Sequence, residues 1–383
     1  MEYARLLATA LASAILNLAG VFRERRAPKL LVVKLDHLGD VVTATPVFRS
    51  IREAFPGASI HVLAGPWAKD VLAGNPFIDQ VLLYESGRFR RGAARLDRRH
   101  PLRVMLEVAA ERYTHVIDLR GDSWTILLPF LSGARCRVDR GTVRIASWFH
   151  RRRSNNGTDD ARVPLHEVET NLAIVGPLVG RPGQEPARVE VFVGEDERAA
   201  VASRLRAIGI PDGVSVVTIH PGASWKPRAW RPESFAEVAR HILGRYPVRV
   251  CFVGSRDDRD IADRIRALLP DARAYFFFDS SLSDTVALLE RSALFIGNDS
   301  GIAHIAAACG TPVIALYGPQ DPRRFRPWSE RSVVLHKPVP CFPCKQTICI
   351  RPENPCVNLI TVEEVVRSAE AVLGSPAEAR SAR

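Results

Sequence analysis

Residues Phe295–Gly318, FIGNDSGIAHIAAACGTPVIALYG, leave this chain few folding options. The apolar run Ala293–Ile296 suits a buried strand, and the break at Gly297-Asn298-Asp299-Ser300-Gly301 leads into a small-residue helix over Ile302–Cys309. Gly310-Thr311-Pro312 stops that helix, and Val313–Leu316 predicts the next strand. A strand, a glycine-bracketed turn and a helix N-terminus form one half of a parallel βαβ unit. They also form an anion site, because amide groups without intrahelical partners and the helix dipole converge on one point. An acid in that turn repels a bare phosphate. Asp299 therefore reads either as an acceptor for the hydroxyls of a sugar carried on the phosphate or, with Ser300, as a helix cap.

The same alternation runs along most of the chain. Lys29–Lys34, Ser59–Ala64, Gln80–Tyr84 and Thr114–Leu119 are strand candidates, and Val41–Phe55 reads as a helix ended by Pro56-Gly57. A second series comprises strands Val214–Ile219, Val248–Val253 and Ala274–Phe278, with helices Glu233–Leu243, Asp257–Leu269 and Asp284–Arg291. Pro177–Pro186 (PLVGRPGQEP) is the linker candidate between the series. The expected class is α/β, two Rossmann-like doubly wound domains facing each other across a cleft. Expected boundaries are residues 29–180 for the first domain and 188–360 for the second, with an apolar segment at 1–28 and a C-terminal helix and tail at 361–383.

Ligands of such sheets sit beyond the carboxyl ends of the strands. In the first half, Asp40, Asp118 and Arg120 occupy those positions. Asp40, in a loop entering a helix, is either a cap or a base that takes a proton from an attacking hydroxyl. In the second half three loops qualify: His220–Trp230 with Ser224, Lys226 and Arg228, then Gly254–Asp258, then Asn298–His304. Cations beside a helix N-terminus hold a diphosphate without a metal. There is no Walker pattern and no GxGxxG after a strand, which argues against both a P-loop and a nicotinamide site.

The formal charge of +11 calls for an anionic partner. No zinc-finger spacing or RNP motif accompanies it, which argues against nucleic acid. Arg88–Arg103 carries seven arginines, and Arg151–Arg153 is a second cluster; these read either as solvated faces or as a rim for an anionic acceptor. Leu6–Phe22 is apolar apart from Thr9, Ser13 and Asn17, which share one helical face, and Arg23, Arg25, Arg26 and Lys29 follow it. That pattern suits a helix lying in an anionic membrane surface or an ordinary packed or frayed terminus, and fits a signal peptide less well because its charged and apolar regions are poorly ordered for one. Seven cysteines in a chain this long do not make a secreted disulfide framework, so a cytosolic location is expected. Cys341, Cys344, Cys349 and Cys356 follow a C-x2-C-x4-C-x6-C spacing that can ligate zinc. No histidine accompanies them and the spacing is irregular, so paired or free thiols are expected and no metal is assigned.

Several of these segments together resemble glycosyltransferase family 9, the ADP-heptose:lipopolysaccharide heptosyltransferases. They are Lys34–Asp40 (KLDHLGD) with Thr45-Pro46, Asp118–Gly121 (DLRG), His166–Glu169 (HEVE), His220–Ser224 (HPGAS), Trp230, the turn at Asn298–Gly301 with His304, and Gly310–Pro319. The resemblance runs from about residue 29 to residue 360. It implies a GT-B fold and inverting, metal-independent transfer of heptose from ADP-heptose to the acidic inner core of lipopolysaccharide, with no cofactor. By that resemblance Asp40 is the general base, Asp299 contacts the donor sugar, and Ser300, Gly301 and His304 lie at the diphosphate. Ser224 and a nearby cation also hold phosphate, Asp257 or Asp258 meets the adenosine ribose, and Asp118 and Arg120 belong to the acceptor side. The family pattern has a lysine two residues before the tryptophan, where this chain has Arg228, so the phosphate cation is either Lys226 or Arg228. The expected location is cytoplasmic, either free or peripheral at the inner face of the inner membrane. Alternatives are a family-9-like transferase for another nucleotide sugar or surface glycan, a non-catalytic nucleotide-sugar-binding protein, and a nucleotide-sugar epimerase of similar architecture.

Overall fold

The structure, a computed structural model, describes residues 27–84, 101–121, 125, 128, 129, 132–134, 136–140, 165–180, 187–342, 344 and 348–374. The chain divides into two compact units, Met1–Ala187 and Arg188–Arg383. The apolar stretch Leu6–Phe22, the basic residues up to Arg26, most of Arg88–Arg103 and all of Arg151–Arg153 lie outside the described residues.

In the first unit β1 (Lys29–Lys34), β2 (Ser59–Ala64), β3 (Gln80–Leu83), β4 (His115–Asp118) and β5 (Cys136–Asp139) form a parallel sheet of order β3-β2-β1-β4-β5. β1 is an almost unbroken apolar run buried on both faces, as a central parallel strand requires. The sequence predicts one helix over Val41–Phe55; the structure has two, Leu38–Val42 and Thr45–Ala54. Pro46 has no amide to continue the first helix and instead sits in the opening turn of the second. At the break the Thr43 hydroxyl donates to the Asp40 carbonyl at 2.9 Å and the Thr45 hydroxyl to the Val42 carbonyl at 2.8 Å, satisfying groups the helix end leaves behind.

The expected linker is also partly corrected. Pro177 lies inside the helix Glu167–Val179, which closes at Gly180 with φ 80°, and residues 181–186 are outside the described set. His166 and Glu169 form a reciprocal capping box at its start, which gives the HEVE segment a local structural cause.

In the second unit the strands are β6 (Val216–His220), β7 (Arg249–Val253), β8 (Ala274–Phe277), β9 (Ser292–Asn298), β10 (Val313–Tyr317) and β11 (Ser332–His336). All pair in parallel in the order β11-β10-β9-β6-β7-β8. The chain starts at β6 in the middle of the sheet, winds out through β7 and β8, then returns to β9. The β6/β9 junction is the switch point, and β1/β4 is its counterpart in the first unit. Gly297 permits close approach there: a Cβ would lie 3.0 Å from the His220 carbonyl and 2.8 Å from the Phe295 ring. The helix Val362–Leu373 packs on this unit through Val365 and Ala369, beside Trp230, Phe235 and Ile242 in one core.

Candidate functional site

At the first switch point Lys34, the last residue of β1, is 1% exposed. Its ammonium lies 3.1 Å from Asp36 Oδ2 and 3.6 Å from Glu167 Oε1. Glu167 also pairs with Arg140, which follows β5. Arg120 donates to Asp36 Oδ1 and, at 2.6 Å, to the Leu35 carbonyl, clamping the loop after β1. Asp118 is wholly buried, and its Oδ1 accepts the amides of Arg120 at 3.0 Å and Gly121 at 3.1 Å. Both residues expected on the acceptor side thus serve here to shape the turn after β4 and fix Asp36; Asp118 has no surface to offer a ligand.

Asp40 is the third residue of the short helix Leu38–Val42 and is partly exposed. Burial of its carboxyl raises its pKa to about 6, against the pull of Lys34 and with the push of Asp36 and Glu167, while Arg140 opposes them. A carboxylate tuned to about 6 is mostly ionised at neutral pH yet far more basic than a solvated aspartate. His37, not Asp40, occupies the N-cap position, and it makes no side-chain cap.

At the second switch point Asn298 is fully buried and joins two strand ends. Its Oδ1 accepts from the Trp230 amide at 3.0 Å, and its Nδ2 donates to the Pro221 carbonyl at 2.8 Å. Trp230 in turn donates its indole N–H to the Ile360 carbonyl at 3.0 Å and meets Phe235 edge to face. The loop His220–Trp230 is therefore pinned at both ends, with His220 Nδ1 2.9 Å from the Val253 carbonyl.

The sequence allowed Asp299 or Ser300 as a cap for the helix Gly301–Ala308. The structure overturns that for both. Ser300 holds the N-cap position without a side-chain cap, and its buried Oγ has no hydrogen-bond partner. The Asp299 carboxylate turns to Arg228, whose Nη1 lies 3.2 Å from Oδ2. Burial holds the Asp299 pKa above the ordinary carboxylate range, although Arg228 and the Tyr317 hydroxyl pull it down. Arg228 Nη2 also donates to Gln320 Oε1 at 3.2 Å. Gly301 and His304 lie in the first turns of the same helix, His304 buried.

Lys226 and Arg228 belong to one short 3-10 turn and are separated by their surroundings. Lys226 is exposed like Ser224, whereas Arg228 is drawn to Asp299 beside the helix N-terminus. Asp257 is exposed. Asp258 is committed to Ser255, accepting from its amide at 2.9 Å and its hydroxyl at 2.7 Å. Its carboxylate lies where a Cβ on Gly222 would be, 2.7 Å away, so that glycine makes room for it.

Gln320, Tyr317, Glu167 and Arg140 were not assigned roles from the sequence. Lys34 gave a signal: a cation ending an otherwise apolar strand has to meet a buried partner. The seven cysteines are unbridged, and among the described residues no three His, Cys, Asp or Glu side chains gather as a metal site would require.

Two doubly wound parallel units in succession make this a GT-B protein, and similar solved structures agree. A family 9 glycosyltransferase from Veillonella parvula superimposes with a TM-score of 0.75 at 22% identity, over 90% of this chain and 97% of that one. The ADP-heptose lipopolysaccharide heptosyltransferase II of Escherichia coli gives 0.70 at 21% identity, over 90% and 98%. Among curated proteins, lipopolysaccharide heptosyltransferase 3 of E. coli is 29% identical over 305 residues, 77% of this chain and 84% of that protein. Lipopolysaccharide heptosyltransferase 1 of Pseudomonas aeruginosa is 25% identical over 368 residues, 91% and 99%. The family profile described as glycosyltransferase family 9 (heptosyltransferase) matches residues 102–353. The chain belongs to glycosyltransferase family 9.

Proposed function

We propose that the protein is an inverting transferase that moves heptose from ADP-heptose to an acidic inner-core glycolipid of lipopolysaccharide. The observation that carries the reading is Asp40, a carboxylate raised to about 6 and set in a ring of charged groups at the β1/β4 switch point. In the proposed step Asp40 takes the proton of the acceptor hydroxyl. The freed oxygen pair forms the bond to the anomeric carbon from the face opposite the diphosphate. The carbon–oxygen bond to the diphosphate breaks, and ADP leaves with the electron pair. Inversion follows from that single displacement.

The second unit answers the other requirement, stabilising the charge that builds on the leaving diphosphate. Arg228 and the N-terminus of helix Gly301–Ala308 are placed to do so, with Ser300 and His304 beside them and Asp299 available to sugar hydroxyls once Arg228 turns to phosphate. Exposed Ser224 and Lys226 supply outer contacts, and Asp257 is the freer of the two acids for the adenosine ribose. This chemistry asks nothing of a metal. A glycolipid acceptor brings the enzyme to a membrane surface, which gives the apolar stretch Leu6–Phe22 and its arginines a use; among the described residues no helix is long and apolar enough to cross a membrane.

The test is to offer ADP-heptose with a panel of truncated core acceptors and read products by mass spectrometry. A heptosylated core is expected. Transfer from a different nucleotide sugar would replace the donor, and a new sugar epimer formed from donor alone would replace the reaction.

A further inference from the structure

The first unit buries more charge than its stability calls for. Lys34 and Glu167 are almost wholly buried, and Arg140, Asp36 and Arg120 are partly so. Removing such ions from water costs several kcal/mol each, and apolar side chains of like volume usually serve stability as well or better. The cluster also leaves Glu167 Oε2 buried without a hydrogen bond. Such an arrangement points to a purpose other than cohesion.

The charged groups acting on Asp40 come from several elements, and its helix also packs against Pro66–Ala68 and Lys69–Leu72, which bring Lys69 and Asp70. Lys34 and Asp36 belong to β1 and its loop, Arg140 follows β5, and Glu167 opens the helix Glu167–Val179. Arg120 reaches the cluster through Asp36, and exposed His37 stands on the same loop. The helix does two jobs on one face. Glu167 collects Lys34 and Arg140, and one turn later Asn171 accepts from Arg140 at 3.3 Å and donates to the Thr43 carbonyl at 3.4 Å. The Thr43 hydroxyl then holds the Asp40 carbonyl at 2.9 Å. The element that divides the cations therefore also fixes the backbone carrying the carboxylate.

We propose that Lys34 and Glu167 are opposed positioning residues for Asp40: Lys34 holds the carboxylate in its charged form, and Glu167, by engaging Lys34 and Arg140, keeps it basic enough to accept a proton. The inference rests on the reading of Asp40 as the base. Its signs are definite. Glu167→Gln removes a negative neighbour and releases two cations, which makes Asp40 a weaker base. Lys34→Met removes the cation that pulls hardest on it and makes it a stronger one. Neutralising Asp36 acts in the same direction as Glu167→Gln.

The experiment is a carbon-13 NMR titration of the full chain labelled at aspartate carboxyls, with the Asp40 signal assigned by its loss in Asp40→Asn. Relative to a wild-type midpoint near 6, Glu167→Gln and Asp36→Asn are expected to titrate about 0.5–1 unit lower and Lys34→Met about 0.5–1 unit higher. The acid limb of kcat/KM against pH should follow in the same directions. Loosening alone lets water in and lowers the midpoint in every variant, so a shared direction overturns the proposal, as does no shift in Glu167→Gln. Should Lys34→Met fail to fold, Arg140→Gln takes its place: it removes the other opposing cation and is expected to move the midpoint up, against the direction that loosening gives. The titration needs no turnover, so it stands apart from the role of Asp40 itself: full activity in Asp40→Asn would remove the base while leaving these shifts to be read.

Discussion

Asp40 and Asp299 are both held above the ordinary carboxylate range by burial, yet they keep different company. Asp40 shares its surroundings with two cations and two other carboxylates, so no single neighbour governs it. Asp299 has one cation, Arg228 at 3.2 Å, and one hydroxyl, that of Tyr317. Opposed neighbours let a carboxylate change its protonation state without leaving an uncompensated charge behind. A single close partner instead locks acid and cation together, which suits a group that binds and releases an anion through that cation. On the proposed reading, the same residue type serves proton transfer in one unit and ligand exchange in the other.

The comparison breaks most readily at Asp40. Asp40→Asn is expected to lower turnover by about 10²–10⁴-fold, the usual contribution of a general base, while nucleotide binding measured by calorimetry stays within about twofold. Retained turnover would put the two acids in one class.

Arg228→Ala is expected to weaken donor binding about ten- to a hundredfold, from loss of a charge-assisted contact of roughly 1.5–3 kcal/mol, with Arg228→Lys recovering part of it. Calorimetry with ADP reads the effect. An equal loss in Lys226→Ala would move the phosphate role to the exposed cation.

A third expectation concerns stability and has a definite sign. The folded pKa of Asp40, about 6, is above the unfolded value near 3.9, so its ionised form disfavours folding. That penalty, on the order of 3 kcal/mol, is approached above pH 6 and gone below about pH 4. Asp40→Asn should melt a few degrees above wild type at pH 8, with the gap closing as pH falls between those limits. A constant gap would show that the charge is not its source. The smallest effect belongs to Gln320→Ala, about two- to fivefold in donor affinity, because it removes a single 3.2 Å bond to an uncharged acceptor that orients Arg228 without touching the donor itself.

Much of this was legible in the residues and some was not, for identifiable reasons. β1, β2, β9 and β10 stood out because strands buried on both faces are runs of apolar residues. β5, CRVD, escaped because four residues with an arginine and an aspartate carry no such run. The helix Glu195–Ala207 escaped because only Val201 and Leu205 are buried, too few to mark a stripe. Pro177 suggested a linker because proline usually ends helices, but a position three residues from the C-cap tolerates it. At the sites, Asp40 and Asp299 could be picked out by their place after strands. Gln320 and Arg140 could not, since the partners that give them roles lie 92 and 27 residues away in the chain.

The indole of Trp230 bonded to the Ile360 carbonyl has a consequence for biosynthesis. The loop bearing Arg228 waits for a peptide group made 130 residues later. A ribosome-stalled chain ending before that point is expected not to capture ADP, whereas one released a little beyond it should. Competence for the proposed donor would then wait on synthesis of residue 360, well after the loop itself has been made.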